Sequence, residues 1–540
     1  MTAVLTRPAE HSAPARRIPW ERLWWLPLPV ILAAQAVLSA RIMLSFSQAG
    51  PDEARYIWAG HQLFYELWHG GGSPYFETYF SGAPVVYSPV AAVADHFGGI
   101  AAVRLANLCF MLGATLLLFI VTRRLFGYVA ALAAMTLFAG LGLAHDIGVY
   151  GNYDSLALLL MACAVYCAVR SSENRWLLLV PLALLAANAA KYMTLLFDPV
   201  IIGMAALQAA GWRNAVRRAI ALAASTVALL GVVAALGGGA YVQGILYTTV
   251  NRHSRDVAFT GRFPTSHIIL HESWAWIGVI LALALLAVVL ALIQRVPAQR
   301  VALLGLLFLA GVLVTLEALH LHSDESMHQH DTFSAWLAAI AAGYAVAAAI
   351  SYLKFSRVLA AVAVLACLAA AVPYWSANIV IAQNNYEGCG GCHPGAVVIS
   401  PGYARMVLPY LHAGRLLVGF ESFALTYDSG LNVPWFRLFD DIYLKYPIPG
   451  RGGDSHGQRR GPVCFRIQPH CMYLEGPAAY RAAIRAHWFS FVSLYKGHID
   501  ASVDRVITQT VEHTPGYVVL TRSGEAPTWI YATAYPRSLR

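Results

Sequence analysis

The sequence predicts a mainly α-helical, polytopic membrane protein of about 11 transmembrane helices, with a small extracytoplasmic α/β domain at its C-terminal end. Three observations carry this. Of 540 residues, 58% are hydrophobic and 12% charged, with a mean hydropathy of +0.57. That composition excludes a soluble enzyme, a disordered chain and a disulfide-dense mini-domain. The apolar residues gather in runs that meet the roughly 17–25 residues needed to cross a hydrocarbon core of about 30 Å. The charges lie between the runs in small clusters, so the net +9 is no nucleic-acid footprint.

In chain order the runs are Leu23 to Phe46, Ile100 to Val121, Tyr128 to Ala144, Ser155 to Val169, Ala219 to Leu236, Trp274 to Ile293, Val301 to Leu319, Thr332 to Ile350 and Val358 to Ala377. Trp176 to Gly211 is too long for one helix and short for two. Two short helices turning at Lys191-Tyr192 put Arg170 and Arg175 on the same side as Arg213, Arg217 and Arg218, as the positive-inside rule asks. The remaining inside clusters are Arg7, Arg16, Arg17 and Arg22 in the N-terminal tail, Arg123 and Arg124, Arg295 and Arg300, and Lys354 and Arg357. The expected topology has residues 1–22 in the cytoplasm, a transmembrane domain over 23–377 and an extracytoplasmic domain over 378–540, in the cytoplasmic (inner) membrane. Within the membrane domain, 47–99 is a first outer loop. The first run has no small-residue cleavage site and follows a long N-region, so it reads as a retained helix. No repeat of 20–50 residues appears. In the outer domain, Pro477 to His487 and Ile499 to His513 look helical, and Gly516 to Arg522 and Thr528 to Ala532 look like strands.

Cys109, Cys163, Cys167 and Cys367 fall inside predicted helices, where a small buried hydrophobe is the ordinary role. Cys389, Cys392, Cys464 and Cys471 all fall in the outer domain. An oxidising compartment favours disulfides there, with connectivity left open. Zinc is the alternative, because Cys389-x-x-Cys392-His393 and His470-Cys471 offer tetrahedral ligand types.

Ionisable groups at membrane level are costly and therefore point to function. Just after the first run comes Gly50-Pro51-Asp52-Glu53-Ala54-Arg55-Tyr56, opening an amphipathic interfacial helix over Asp52 to His69. Acids behind a proline also suit any helix N-terminus. No Gly-x-x-x-x-Gly-Lys-Ser/Thr loop is present, so a nucleotide donor has no cradle.

The Asp-Glu pair beyond the first helix, the long first outer loop, the eleven helices and the terminal outer domain together resemble the integral-membrane glycosyltransferases of the C-type fold. The nearest group is that of the protein mannosyltransferases and aminoarabinose transferases. Tyr87-Ser88-Pro89 resembles that group's Tyr-Pro-Pro element, Gly151-Asn152-Tyr153-Asp154 its second outer acidic position, and Ala190-Lys191-Tyr192 the turn after its fifth helix. The likeness covers about residues 20 to 380 in layout.

The resemblance implies transfer of a sugar from a polyprenyl-phosphate carrier to an acceptor at the outer face, with the first-loop Asp as base. Asp52 is then the base, and Glu53 orients it or holds a sugar hydroxyl. A single carboxylate serving one in-line displacement implies inversion at the anomeric carbon. Asp154 and Tyr87 are expected to bind substrate. The leaving phosphate needs cations or hydrogen-bond donors. Candidates are Lys191, Arg252, Arg255, Arg262 and the run His320-Leu321-His322 with His328-Gln329-His330, with His330 first. In an extended strand each histidine pair shares a face, and with Asp324 and Glu325 nearby a divalent metal is the alternative for that loop. No cofactor is otherwise called for. The first outer loop carries Ser81-Gly82-Ala83-Pro84 where the aminoarabinose branch has a Lys-Pro-Pro element, so a lipid A acceptor is not implied. Expected partners are a polyprenyl-phosphate-linked sugar, an envelope glycan, lipid or protein acceptor, and the bilayer. The rival class is a secondary transporter of an envelope lipid or sugar precursor, against which the charges at the outer rim and the absence of internal symmetry speak.

Overall fold

The computed structural model describes residues 27–45, 48–70, 80–248, 266–322, 326–352, 372–380, 401–419, 422–431, 433, 437–439, 444, 446–447, 473–474, 476–494, 501–521 and 526–539. The expected positions Arg252, Arg255, Arg262, Asp324, Glu325, Cys389, Cys392, Cys464 and Cys471 lie outside the described residues, as does most of the run Val358 to Ala377.

Helix α1 spans Pro27–Ser45 and α2 spans Pro51–His69. Pro51 presets the φ of the first turn, and the Glu53 carboxylate folds back to accept the Gly50 N–H at 2.8 Å, so α2 starts at a fixed residue. Helix α3, Pro84–Phe126, kinks at Gly98–Gly99, where Gly99 takes φ +61. Of the expected first outer loop, 47–99, residues 51–69 and 84–97 are helical.

The third apolar run is broken into α4, Tyr128–Ala139, and α5, Gly142–Val149, bent by 66°. Gly140 sits at the break with the Trp375 ring against it: an added Cβ would lie 2.5 Å from the indole. Then come α6, Asp154–Arg170, and α7, Asn174–Ala190. Lys191 is extended (φ −151, ψ 123), and a 3-10 turn over Tyr192–Phe197 leads into α8, Asp198–Ala206. This is the pair of short helices that the arginine clusters required. Helix α9, Trp212–Thr248, breaks at Gly238, and α10 (Ser266–Ile293), α11 (Ala298–Leu321) and α12 (Met327–Tyr352) follow.

Among the described residues six helices are long and apolar enough to cross a membrane, and the bent α4–α5 pair makes a seventh. Helices α6, α7 and α8 are shorter, roughly 1.5 Å per residue leaving each below a full bilayer crossing unless flanking turns help. Helix α12 is the axis of the bundle. Phe333, Trp336, Leu337 and Ile340 are wholly buried, and the Trp336 indole donates to the Ala114 carbonyl of α3 at 2.9 Å. Val227, Val232 and Leu236 on α9 and Leu285, Leu286, Val289 and Leu292 on α10 face outward, a surface stable only against lipid.

The C-terminal domain holds α13 (Pro401–Val407), β1 (Leu416–Val418), α14 (Ser422–Asp428), β2 (Leu438–Phe439), β3 (Tyr446–Pro447), β4 (Tyr473–Leu474), α15 (Gly476–Arg485), β5 (Phe491–Ser493), α16 (Ala501–His513), β6 (Tyr517–Thr521) and β7 (Thr528–Tyr531). Five strands pair in the order β2-β1-β5-β7-β6, parallel through β1 and antiparallel from β5 onward, with Leu416 opposite both Leu438 and Phe491. Alternation puts Leu416, Val418, Phe491 and Ile530 on one face, packed with Val407 and Leu411. Leu417, Val492 and Trp529 take the other, under Tyr480, Ala483, Ile507 and Val511 of α15 and α16. The first of these cores extends to Ala49 and Ala54, so the domain shares buried surface with the start of α2.

Candidate active site

The Asp52-Glu53 pair opens α2, but its two members sit in opposite environments. Asp52 has its side chain 42% exposed, with the Arg55 guanidinium 4.0 Å away. Glu53 is 0% exposed. Its Oε1 accepts from Arg104 Nε at 2.9 Å and from the Gly151 N–H at 2.7 Å, and its Oε2 from Arg104 Nη2 at 2.7 Å and the Gly50 N–H at 2.8 Å. Four donors on two oxygens fill the carboxylate, and a sugar hydroxyl would have to displace one of them. Glu53 thereby fastens α2, α3 and the 150–152 turn to one another. Two glycines let the segments come this close: an added Cβ on Gly50 would stand 2.7 Å from the Tyr150 hydroxyl, and one on Gly151 3.0 Å from Glu53 Oε1. Asn107 of α3 holds the same turn by donating to the carbonyls of Tyr150 and Asn152, the second at 2.8 Å.

Asp154, at the first position of α6, is also 0% exposed. The Lys191 ammonium donates to its Oδ1, and Asn152 donates to its Oδ2 at 2.6 Å. Because residue 191 is extended between α7 and the 3-10 turn, its side chain runs inward, 5.1 Å above the Tyr153 ring and 6.0 Å from that of Phe333 on α12. Lys191 itself is 1% exposed. Tyr56 lies among Phe80, Tyr87 and Tyr153, with centroid distances of 4.8, 5.8 and 4.9 Å. Tyr56 and Tyr153 each stand within electrostatic reach of both Asp52 and Asp154. Asp52, Glu53, Tyr87, Asp154 and Lys191 are therefore one cluster.

The histidine run is helical rather than extended. His320 lies in the last turn of α11, His322 caps it, and His328 and His330 open α12, so residues two apart point to different sides. His328 Nε2 lies 3.7 Å from Asp146 Oδ2, and His330 is buried. Among the described residues no group of three or more His, Cys, Asp or Glu side chains is placed to hold a metal ion.

Sequence reasoning passed over Arg104, which does most to organise the site, as well as His145 and Asp146. Arg104 sits within the run Ile100 to Val121, and an arginine in an apolar span was itself the signal. His145-Asp146 directly follows the run ending at Ala144; both are buried, and His145 Nδ1 pairs with the Ser39 hydroxyl of α1 at 2.8 Å.

This arrangement of helices, with a C-terminal α/β domain resting on the start of α2, has the C-type fold of polytopic membrane glycosyltransferases. The crystal structure of ArnT from Cupriavidus metallidurans in the apo state aligns with a TM-score of 0.55, and that of ArnT bound to undecaprenyl phosphate with 0.53. Each is 14% identical and covers 96% of this chain and 99% of its own. Residues 85–237 match the family model of dolichyl-phosphate-mannose-protein mannosyltransferases. No curated protein sequence matches the chain.

Proposed function

We propose that the protein is an inverting membrane glycosyltransferase that moves one sugar from a polyprenyl-phosphate carrier to an acceptor of the cell envelope. The reading places it in the cytoplasmic membrane with the site and the C-terminal domain facing out. The observation that carries it is the division between neighbours: Glu53 is buried and saturated by four donors, while Asp52, one residue earlier, is the exposed carboxylate of the pair. In the proposed step an acceptor hydroxyl gives its proton to Asp52 as its oxygen bonds to the anomeric carbon, and the bond from that carbon to the carrier phosphate breaks on the opposite face. Polyprenyl phosphate departs with the electron pair. The leaving phosphate on that opposite face needs a cation or hydrogen-bond donor, for which His330 stays the first candidate, since Lys191 pairs with Asp154 and Arg55 with the base itself.

Asp52→Asn keeps size and most hydrogen bonding but cannot accept the proton. Transfer on envelope membranes, which supply their own donor and acceptor, is expected to fall by about 10² or more with the fold intact. Undiminished transfer would remove Asp52 from the reaction. The broken α4–α5 pair and the interruption at Lys191 favour, as a second reading, a secondary transporter of an envelope lipid or sugar precursor, since transporters bind at such breaks. Movement of labelled precursor without any glycosylated product would support it.

A further inference from the structure

Three contacts tie Tyr427, Asp428 and Val433 of the C-terminal domain to α2, to its approach and, through Asp95, to α3. The Asp428 Oδ1 at the end of α14 accepts the Ala49 N–H at 3.2 Å. The Trp58 indole donates to the Val433 carbonyl at 2.9 Å. The Tyr427 hydroxyl donates to Asp95 Oδ1 at 2.5 Å, and the other oxygen of Asp95 pairs with His61 Nε2 at 2.7 Å. Residues 49, 58 and 61 run from the approach to α2 into its middle, roughly 18 Å at 1.5 Å per residue. Tyr427, Asp428 and Val433 therefore meet the helix between its approach and its midpoint, and Ala49 and Ala54 are buried in the core of the C-terminal domain.

Two successive amides precede the carboxylate pair. The Gly50 N–H is held by Glu53, which belongs to α2 itself; the Ala49 N–H is held from another domain. Glu53 fixes the helix to α3 and the 150–152 turn, and Tyr56 and Gly60 pack it on α3 further along, while the residue before its N-cap is held from the C-terminal domain.

We propose that Asp428 and Tyr427 are positioning residues for the transfer reaction: as a clasp from the C-terminal domain they fix the first turn of α2, and through it the Asp52 carboxylate. This rests on the reading of Asp52 as the base. The clasp acts on placement of the attacking hydroxyl and not on the carrier phosphate, so loosening it lowers turnover while leaving carrier binding alone. A misplacement of about 1 Å at a reacting group costs about 10²-fold, which sets the scale for a partial loosening at about tenfold.

The test uses the full-length protein in detergent micelles and in envelope membranes. In Asp428→Ala the Ala49 N–H loses its acceptor. Hydrogen exchange over residues 49–57 is expected to quicken by about tenfold or more while α10–α12 keep their protection, and transfer is expected to fall by about tenfold or more. Binding of undecaprenyl phosphate, used as the carrier probe, should stay within about twofold, a split that a globally damaged protein would not show. Asp428→Asn retains an acceptor oxygen and should match the parent in all three measurements. Tyr427→Phe removes only the hydroxyl on Asp95 and is expected to give a smaller loss of the same kind. Unchanged exchange over 49–57 in Asp428→Ala would overturn the clasp, as would Asp428→Asn proving as harmful as alanine. Exchange that quickens without loss of transfer would overturn the positioning role and leave the Asp52 reading standing. Exchange does not depend on which residue is the base, so an active Asp52→Asn variant would fail that reading alone.

Discussion

Removing Arg104 tests the buried carboxylate, Glu53, separately from Asp52, the proposed base. In Arg104→Met the buried Glu53 keeps two backbone N–H donors, from Gly50 and Gly151, but loses the guanidinium bound at 2.9 and 2.7 Å. Both side chains are at most 2% exposed, so neither water nor a neighbouring surface charge can substitute. Breaking such a pair from one side costs about 3–5 kcal/mol, because an uncompensated charge stays buried. Glu53→Gln should cost a similar amount by the converse route. Whichever carboxylate oxygen becomes the amide nitrogen then faces two N–H donors, and Arg104 loses its counter-charge. Replacing both, as Arg104→Met with Glu53→Leu, removes both charges and should cost less than the two single losses added together. Unfolding of the purified protein in mixed micelles by a denaturing detergent measures each step. Asp52→Asn, whose side chain is 42% exposed and whose pairing with Arg55 is at 4.0 Å, should cost less than Arg104→Met, about 1 kcal/mol. An Arg104→Met protein as stable as the parent would refute the clamp. Loss of transfer in Glu53→Gln without loss of stability, with Asp52→Asn fully active, would exchange the roles of the two acids.

Gly60→Ala should be among the most damaging single-methyl additions, because its Cβ would stand 2.0 Å from the carbonyl oxygen of Ser88 and 2.6 Å from its carbon, both backbone atoms of α3. Overpacking that only backbone movement can relieve costs about 3 kcal/mol, read in the same unfolding assay as a loss that Asp52→Asn does not share. Burial pushes the Asp428 carboxyl up to about 7; the Ala49 N–H and Arg104 draw it down, Glu53 pushes it up, and Tyr427 is the other titratable neighbour. The folded value lies above the unfolded one, so the folded protein holds the proton more tightly. Its stabilising share is full below about pH 4 and is lost as pH rises through about 7. The melting temperature of the parent should therefore decline relative to that of Asp428→Asn between about pH 4 and about pH 7, and parallel curves would exclude Asp428 as the titrating group.

Much of the fold is a one-dimensional property of this chain. Apolar runs of bilayer length, arginines that must share a side, and Pro51 ahead of two acids are local features, and each fixes an element without reference to a neighbour. That is why the two short helices about Lys191 and the helix beginning at Pro51 follow from the sequence, as do α15, α16, β6 and β7 in the outer domain. Strands β1, β2 and β5 did not, because two or three residues carry no periodicity and are strands only by pairing. At the bend between α4 and α5 the ring of Trp375, over 200 positions away, packs against Gly140, a contact that no local pattern announces. Above all, the sequence sets Asp52 and Glu53 side by side, and only the family resemblance makes the first the base and the second its support. Tertiary structure gives them different surroundings: burial beside Arg104 and against the Gly50 and Gly151 amides commits Glu53 to structure, and a single step along the helix leaves the Asp52 side chain 42% exposed. Consecutive residues on a helix point about 100° apart, so which one meets the core is decided by where α3 and the 150–152 turn come to rest.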